Sequence, residues 1–377
     1  MILKGKIYKT LILISLMLFT LSGCSFSSGQ NIQTDTSVAS AQDNEDTPEI
    51  PEVEEKGTVV ILATGGTIAG SGEKGKETGY KSGELSVDAL VEAVPELAEV
   101  ANIEAIQVCN VNSDDITSEI WIELANMINE MAKNDNIAGF VITHGTDTME
   151  ETAYFLDMTV KTDKPVVLTG SMRPATAISA DGPMNLYLAV CVAASEESKG
   201  KGVLVTFSDR IFSAREVKKI STYSVMAVSA GETGSIGIIR DNNVMFYEEP
   251  AKKHTLDTEF DVSKESKLPN AQILYFEVDA DPGILEYAAA HSDGLVIAGA
   301  GAGEFSEEFI DVINKLEIPV VISSRIDDGI ITQDAVLCEN TVAANDLPAQ
   351  KAVILLRLAL MNKTTSQEEL IRIFNTY

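Results

Sequence analysis

Two short turns rich in threonine and glycine constrain the fold of this chain more than any other feature. Thr64-Gly65-Gly66-Thr67 directly follows the β-like run 59–63, and the segment Thr143–Thr148 follows the run 139–142. In open α/β sheets, ligands bind beyond the carboxyl ends of parallel strands, where such turns gather. The pattern therefore predicts that two hydroxyl-bearing turns meet at one edge of a parallel sheet.

The rest of the chain alternates in the same way between apolar runs and helical periodicity. We expect strands at residues 59–63, 104–111, 139–142, 165–168 and 202–207. We expect helices at residues 84–100, 116–131, 148–159 and 183–194, the third of them opened by a capping box of Thr148 and Glu151. This alternation predicts an α/β fold of two α/β domains with mainly parallel sheets, the N-terminal domain larger than the C-terminal one.

The first 23 residues have the form of an export signal. Three lysines precede an apolar stretch, Leu11–Leu21, that is too short to span a bilayer as a stable helix. The stretch ends in Leu-Ser-Gly-Cys, which resembles a bacterial lipobox, and Cys24 is then the lipidated residue. A plain secretory cleavage site is the alternative, but a cysteine stands where a lipobox requires one. We expect an exported protein anchored by lipid to the bacterial cell membrane or envelope, outside the cytoplasm.

Composition divides the remaining chain. Residues 24–56 are polar and acidic with few large apolar side chains, which is typical of a flexible tether. An N-terminal domain is expected over residues 57–245 and a C-terminal domain over residues 270–377. Between them, residues 246–269 are polar and interrupted by proline, as in an interdomain linker.

Charge and cysteine content exclude some classes of function. The chain carries 28 basic and 57 acidic side chains, a net charge of −29, so nucleic acid is not an expected partner. Scattered cysteines form no disulfide framework, and neither a Cys-x-x-Cys motif nor a His/Cys pair at metal-ligand spacing occurs. We expect no metal and no cofactor.

Threonine can act as a nucleophile only with an activating group beside it. The basic candidates between residues 60 and 240 are Arg173, Arg210, Arg215, Lys218 and Lys219, and composition does not choose among them. The two turns also have a purely structural interpretation, since glycine is needed wherever φ is positive. Asp147, directly after the second turn's threonine, favours a ligand site.

At this point a family resemblance becomes specific. Residues 61–70 and 143–152 resemble the two active-site signatures of bacterial type II L-asparaginases, some of which are lipoproteins. Supporting similarity lies at residues 165–174, 179–183, 323–325 and 332–334. The resemblance extends from about residue 58 to residue 377.

The resemblance implies a role for each matching residue. Thr67 is the expected nucleophile, which attacks a side-chain amide and forms an acyl-enzyme. Tyr80, in a glycine-rich segment expected to act as a mobile lid, is expected to form a hydrogen bond with Thr67. Thr146 and Lys219 are expected to activate water or the nucleophile, and Asp147 to bind the α-ammonium group of the substrate. His144 is expected to support its turn through hydrogen bonds to the backbone rather than to act as a base.

Further positions concern the rest of the substrate. Ser113 matches the residue that binds the α-carboxylate, and the backbone around Thr146 and Ser171 is expected to complete amide recognition. Three residues depart from the family pattern. Asp114 replaces a neutral side chain in the substrate-binding set, Asp279 stands where a neighbouring subunit usually supplies asparagine, and Val336 replaces a glutamate.

Together these features predict an L-asparagine amidohydrolase that releases L-aspartate and ammonia without a cofactor. The family resemblance implies a homotetramer. The three departures leave open a glutaminase or another amidase of the same fold, with L-glutamine as a substrate. A lipid-anchored amino-acid-binding protein is the alternative from another class, since it shares the lipobox, the tether and the two-domain plan. Such a protein needs neither two threonines nor a lysine.

Overall fold

A computed structural model describes residues 56–377. The predicted signal peptide, Cys24 and the tether lie outside the described residues, apart from Lys56. Within residues 56–377, no helix is long and apolar enough to cross a bilayer.

The N-terminal part is built on an eight-stranded sheet. Its strands are β1 (Thr58–Gly65), β2 (Asn102–Val111), β3 (Ile137–Thr143), β4 (Val166–Thr169), β5 (Val203–Phe207), β6 (Arg210–Ser213), β9 (Gly237–Arg240) and β10 (Asn243–Phe246), and the pair β7 (Lys218–Lys219) and β8 (Val228–Ser229) lies apart from it. The spatial order is β10-β9-β6-β5-β4-β3-β1-β2, parallel from β5 to β2 and antiparallel from β5 to β10. Parallel strands covered on both faces explain why β1, β3, β4 and β5 are nearly continuous apolar runs.

The C-terminal part has a smaller parallel sheet. Its strands, in spatial order, are β11 (Ala271–Tyr275), β12 (Gly294–Gly299), β13 (Val320–Ser324) and β14 (Val342–Ala343). The two sheets of unequal size, the larger one mainly parallel and the smaller one parallel throughout, confirm the predicted fold class. The exact domain and linker boundaries stay predictions.

Helices cover both sheets. They are α1 (Val87–Glu92), α2 (Leu97–Val100), α3 (Ser118–Met131), α4 (Met149–Thr159), α5 (Gly182–Ala194), α6 (Gly283–Ala289), α7 (Glu307–Ile313), α8 (Ala349–Met361) and α9 (Gln367–Thr376). Helices α1, α2 and α5 contribute to the apolar cluster on one face of the large sheet. Helices α3, α4, α8 and α9 share a second cluster with both sheets, and α6 and α7 cover the far face of the small sheet. Helix α8 therefore belongs to the C-terminal part but packs against both.

Two local predictions were wrong. The single helix expected over residues 84–100 is two helices, because Pro95 lies between α1 and α2 and cannot donate the backbone hydrogen bond of a continuous helix. The capping box is absent: Thr148 precedes α4, but its side chain makes no capping bond. Its hydroxyl instead donates to the carbonyl oxygen of Ser113 at 2.6 Å.

Candidate active site

The two threonine turns lie side by side, as the sequence predicted. Strands β1 and β3 are parallel neighbours with Ala63 opposite Thr143, so both turns leave the sheet at the same edge. The turns touch at glycines: a Cβ on Gly66 would lie 2.4 Å from the backbone nitrogen of Gly145, and Gly66 has φ of +79°. A residue larger than glycine does not fit at position 66. The close approach of the two backbones brings Thr67 and Thr146 onto one surface.

Thr67 starts a short 3₁₀ turn and is nearly buried, with 9% of its surface exposed. Its Oγ1 lies 2.8 Å from the hydroxyl of Tyr80, which is the contact predicted from the sequence. Tyr80 comes from a segment closed by paired backbone hydrogen bonds between Ser71 and Lys81, at 3.0 and 2.9 Å. Its ring packs against Gly70, where an added Cβ would approach to 2.9 Å. The segment is therefore folded over Thr67.

Thr146, Asp147 and Lys219 form the second group of polar side chains. Lys219 Nζ lies 2.8 Å from Thr146 Oγ1 and 2.5 Å from Asp147 Oδ1. The Lys219 side chain is 16% exposed, whereas Asp147 is 70% exposed and open to a ligand. Lys218 points elsewhere, to the carbonyl oxygen of Asp327 and, at 2.7 Å, to Asp328 Oδ1. The geometry thus places Lys219, and not Lys218, beside the second threonine.

The remaining predicted residues surround these groups. Ser113 is buried in the turn after β2, and a Cβ on Gly145 would lie 2.8 Å from its hydroxyl oxygen. Asp114 beside it is exposed to solvent. Ser171 is fully buried, and its hydroxyl donates to the carbonyl oxygen of Arg173 at 2.9 Å. Ser113 and Ser171 thus border the two turns, while Asp114 faces water.

Asp279 and Val336 are not brought to this group. Asp279 is exposed in the loop after β11, with φ of +60°. Val336 packs against the apolar cluster on the far face of the small sheet. In the described part of this single chain, no hydrogen bond joins either residue to Thr67, Thr146 or Lys219.

His144 is buried and supports the second turn, as expected. Its Nδ1 lies 2.7 Å from the carbonyl oxygen of Gly145, which can only accept, so Nδ1 carries the proton. Its Nε2 then accepts from the hydroxyl of Thr152 at 2.9 Å, and Thr152 in turn accepts from the indole nitrogen of Trp121 at 2.8 Å. Burial lowers the pKa of His144 to about 4, so the imidazole is neutral at physiological pH.

The structure adds residues that the sequence analysis missed. Glu150 accepts from the backbone nitrogen of Lys219 at 2.5 Å and from Gln350 Nε2 at 2.8 Å. Burial, reinforced by Glu150, raises the pKa of the neighbouring Glu151 to about 7. Lys351, next to Gln350, is fully buried. The available signal was a lysine inside a mostly apolar helix, which is unusual unless the charge has a partner.

The polar groups at this edge are suited to acyl transfer. A nearly buried hydroxyl with a hydrogen-bonded phenol stands beside a second hydroxyl with a lysine, the arrangement that nucleophilic catalysis requires. Within residues 56–377, no group of three His, Cys, Asp or Glu side chains is arranged to hold a metal ion.

Comparison with known proteins places the chain in a family. The sequence model of the asparaginase N-terminal domain matches residues 58–252, and that of the glutaminase/asparaginase C-terminal domain matches residues 270–374. L-asparaginase 2 of Bacillus subtilis is 43% identical over 99% of this chain and 100% of its own length. A probable periplasmic L-asparaginase of Haemophilus influenzae is 47% identical over 80% of this chain and 88% of its own length.

A solved structure agrees in fold. The crystal structure of a probable cytoplasmic L-asparaginase from Campylobacter jejuni superposes with a TM-score of 0.81 and 42% identity, covering 85% of this chain and 100% of that one. Both domain families, these relatives and the shared fold lead to the same assignment. The chain belongs to the bacterial L-asparaginase family.

Proposed function

We propose that this protein hydrolyses L-asparagine to L-aspartate and ammonia through an acyl-enzyme on Thr67. The observation that carries the proposal is the meeting of two hydroxyl groups with separate partners, Thr67 with Tyr80 and Thr146 with Lys219, at the edge of one sheet. Membership of the asparaginase family supports the reaction and its substrate.

In the first half of the reaction, Thr67 Oγ1 forms a bond to the amide carbon and the carbon–nitrogen bond breaks. The Tyr80 hydroxyl, which both donates and accepts, takes the threonine proton and gives its own to the departing nitrogen. Ammonia leaves. In the second half, water adds to the ester carbon with Thr146 and Lys219 orienting it, the ester bond breaks, and Thr67 regains a proton.

The other predicted residues hold the amino-acid end of the substrate. Asp147 is open to solvent and pairs with the α-ammonium group, while Ser113 binds the α-carboxylate. Backbone groups near Thr146 and Ser171 stabilise the charge that develops on the amide oxygen. No cofactor takes part in this scheme.

L-Glutamine is the competing substrate. Some relatives, including one from Acinetobacter glutaminasificans at 41% identity, are named glutaminase-asparaginase. The exposed Asp114 adds a negative charge close to Ser113, where a neutral residue is the rule in the family, and this difference changes the field at the α-carboxylate.

The decisive test measures ammonia release from L-asparagine, L-glutamine and D-asparagine. Thr67→Ala should abolish release while the circular dichroism spectrum stays unchanged, and Thr365→Ala, at an exposed threonine, serves as the matched control. Full activity of the Thr67→Ala variant would remove Thr67 from the mechanism. A glutamine rate that exceeds the asparagine rate would make the protein a glutaminase.

We also propose that the protein is exported and lipid-anchored through Cys24. The apolar stretch and the lipobox-like Leu-Ser-Gly-Cys sequence support this proposal. Relatives differ in location, one being described as periplasmic and one as cytoplasmic. Cys24→Ser should move the protein from the membrane fraction to the soluble fraction, and unchanged fractionation would refute the anchor.

A homotetramer is the assembly we propose, on the strength of family membership. Within the single chain, Asp279 is exposed and makes no hydrogen bond to Thr67 or Thr146 in the described residues, which fits a position that faces another subunit's site. Light scattering of the purified protein should give about four times the mass of one chain. A monomeric mass together with full activity would refute this assembly.

A further inference from the structure

Lys351 on helix α8 makes an unusual set of contacts. The side chain is completely buried, and its Nζ donates to the carbonyl oxygens of Ala214 at 3.0 Å, Arg215 at 2.7 Å and Val217 at 2.5 Å. An ammonium group has three donors, so these three acceptors use all of them. One lysine of the C-terminal part thus holds one turn of the N-terminal part.

That turn carries the lysine of the active site. It connects β6 to β7, and Lys219 is the second residue of β7. Three carbonyl groups can converge on a single Nζ only if the backbone of residues 214–217 curls around it. The position of Lys351 therefore fixes the path of the chain two residues before Lys219.

The residue before Lys351 holds the other side of Lys219. Gln350 Nε2 donates to Glu150 Oε1 at 2.8 Å, and Glu150 Oε2 accepts from the backbone nitrogen of Lys219 at 2.5 Å. Consecutive residues of α8 thus constrain Lys219 from two directions. At the far end of its side chain, Lys219 Nζ is 2.8 Å from Thr146 Oγ1.

The positive charge of Lys351 is costly to bury. Burial lowers its pKa to about 8, Glu150 and Glu216 oppose that shift, and Arg215 and Lys218 add to it. Lys351 is also the third residue of α8, where the helix dipole disfavours a cation. A buried charge of this kind is better suited to selecting one backbone conformation than to raising stability.

We propose that Lys351 is a positioning residue for asparagine hydrolysis, which holds the turn at residues 214–217 so that Lys219 Nζ reaches Thr146. The inference rests on the proposed role of Lys219. Lys351 itself does not touch the substrate, so its effect falls on the rate of the chemical step more than on substrate binding.

The test replaces Lys351 with methionine, which is also unbranched but one atom shorter, and which removes all three donors. We expect kcat for L-asparagine to fall about 10- to 100-fold, because a displacement near 1 Å has effects of this size, while KM changes much less. Lys161→Met is the matched control. Lys161 is half-buried rather than fully buried, but it likewise donates to backbone carbonyls, those of Thr255 and Thr258, and its variant should keep the wild-type kcat.

A double-mutant comparison separates positioning from a general structural role. In a Lys219→Met background, Lys351→Met should cause little further loss of the residual rate, because the group it positions is gone. An equal loss in both backgrounds, or a wild-type kcat for Lys351→Met alone, would overturn the inference. If Lys351→Met does not yield folded protein, Lys351→Gln, which keeps two donors, is compared in the same way.

The same measurements distinguish a failure of the proposed function from a failure of the inference about Lys351. A wild-type protein that releases no ammonia from L-asparagine would overturn that function. A fully active Lys219→Met variant would overturn the role of Lys219 and, with it, the positioning role of Lys351. An inactive Lys219→Met variant beside a fully active Lys351→Met variant would refute only the inference about Lys351.

Discussion

Thr67 has a phenol, not a base, as its hydrogen-bond partner. The 2.8 Å contact with Tyr80 suits a hydroxyl that passes a proton on while it receives one. Because Tyr80 comes from a separate loop, the nucleophile is complete only when that loop is folded over it. The proposed mechanism therefore predicts a reaction rate that is sensitive to a single oxygen atom at residue 80.

Tyr80→Phe removes that oxygen and keeps the ring packed on Gly70. We expect kcat to fall about 10²- to 10⁴-fold, the usual contribution of a proton-transferring side chain, with a smaller change in KM. Steady-state kinetics on L-asparagine measure both constants, and Tyr247→Phe, at an exposed tyrosine, is the control. Unchanged kcat in Tyr80→Phe would exclude proton transfer through this hydroxyl.

The buried chain from Trp121 through Thr152 to His144 gives a second prediction at this scale. Thr152→Val keeps the shape but leaves an indole N–H and an imidazole nitrogen without partners. The free energy of unfolding should fall by about 1–3 kcal/mol, the penalty for unsatisfied buried groups. Urea denaturation measures it, and Thr365→Val, on the surface, should stay within about 0.5 kcal/mol of wild type. Equal stability of the two variants would contradict the proposed network.

At the scale of elements, the loop after β4 supports the segment that carries Tyr80. Asp181 accepts from the backbone nitrogens of Met172 and Arg173, both at 2.9 Å. The loop so fixed then binds the lid: Ala175 N donates to Gly70 O at 3.0 Å, and Gly75 N donates to Thr176 O at 2.9 Å. Asp181 makes no hydrogen bond to the Tyr80 segment in these contacts; it supports that segment indirectly, by fixing the loop that binds it.

Asp181→Ala should loosen this loop and, with it, the closed position of the lid. Both kcat and KM should worsen, because closure serves binding and chemistry together, and the free energy of unfolding should fall by about 1–3 kcal/mol. Kinetics and urea denaturation of the same preparation check both effects. Asp163→Ala, at an exposed aspartate, is the control, and wild-type constants in Asp181→Ala would separate the loop from the lid.

Sequence predicted the elements well wherever local signals decide the outcome. Apolar runs followed by glycine and threonine predicted strands β1 and β3 and the turns after them. The capping box predicted at Thr148 is absent because the Thr148 hydroxyl donates to the carbonyl oxygen of Ser113, a residue distant in sequence, instead of capping α4. Residues 243–246 were not among the predicted strands, but they form an edge strand paired with β9. Such pairings depend on neighbours that periodicity does not reveal.

At the scale of the whole molecule, the two sheets are joined by a shared apolar core. Helices α4 and α8 pack together, and one cluster includes Phe140 of the large sheet, Leu356 of α8 and Val296 of the small sheet. The order of a larger and a smaller α/β domain was predictable from the sequence. The support of Lys219 by Gln350 and Lys351 was not, because it depends on how the parts dock.

Buried acids in this shared interior make stability depend on pH. Burial raises the pKa of Asp157 from 3.8 to about 7, and it is opposed first by the hydrogen bond from the backbone nitrogen of Val203, at 2.8 Å, and then by the charges of Lys351 and Arg215. Between these two values the folded state binds more protons than the unfolded state. The contribution of Asp157 to the free energy of unfolding is therefore full below about pH 4. It is lost as the pH rises through about 7.

Asp157→Asn keeps the acceptor for Val203 and cannot ionise. Its free energy of unfolding should decline less steeply than that of the wild-type protein between pH 5 and pH 8, as urea denaturation at a series of pH values would show. Part of the slope should survive, because burial also raises the pKa of Glu151 to about 7. Identical slopes in the variant and the wild-type protein would mean that Asp157 does not titrate in this range.

The distance in sequence between Lys219 and its support has a consequence for biosynthesis. Lys351 follows Arg215 by 136 residues. At roughly 5–20 residues per second, the ribosome needs on the order of 7–27 seconds to add them. For nearly all of that interval, once Lys219 has been added, the nascent chain contains every residue proposed to react, but not the helix that holds Lys219 in position. A chain terminated within this interval is therefore expected to be unable to consume asparagine.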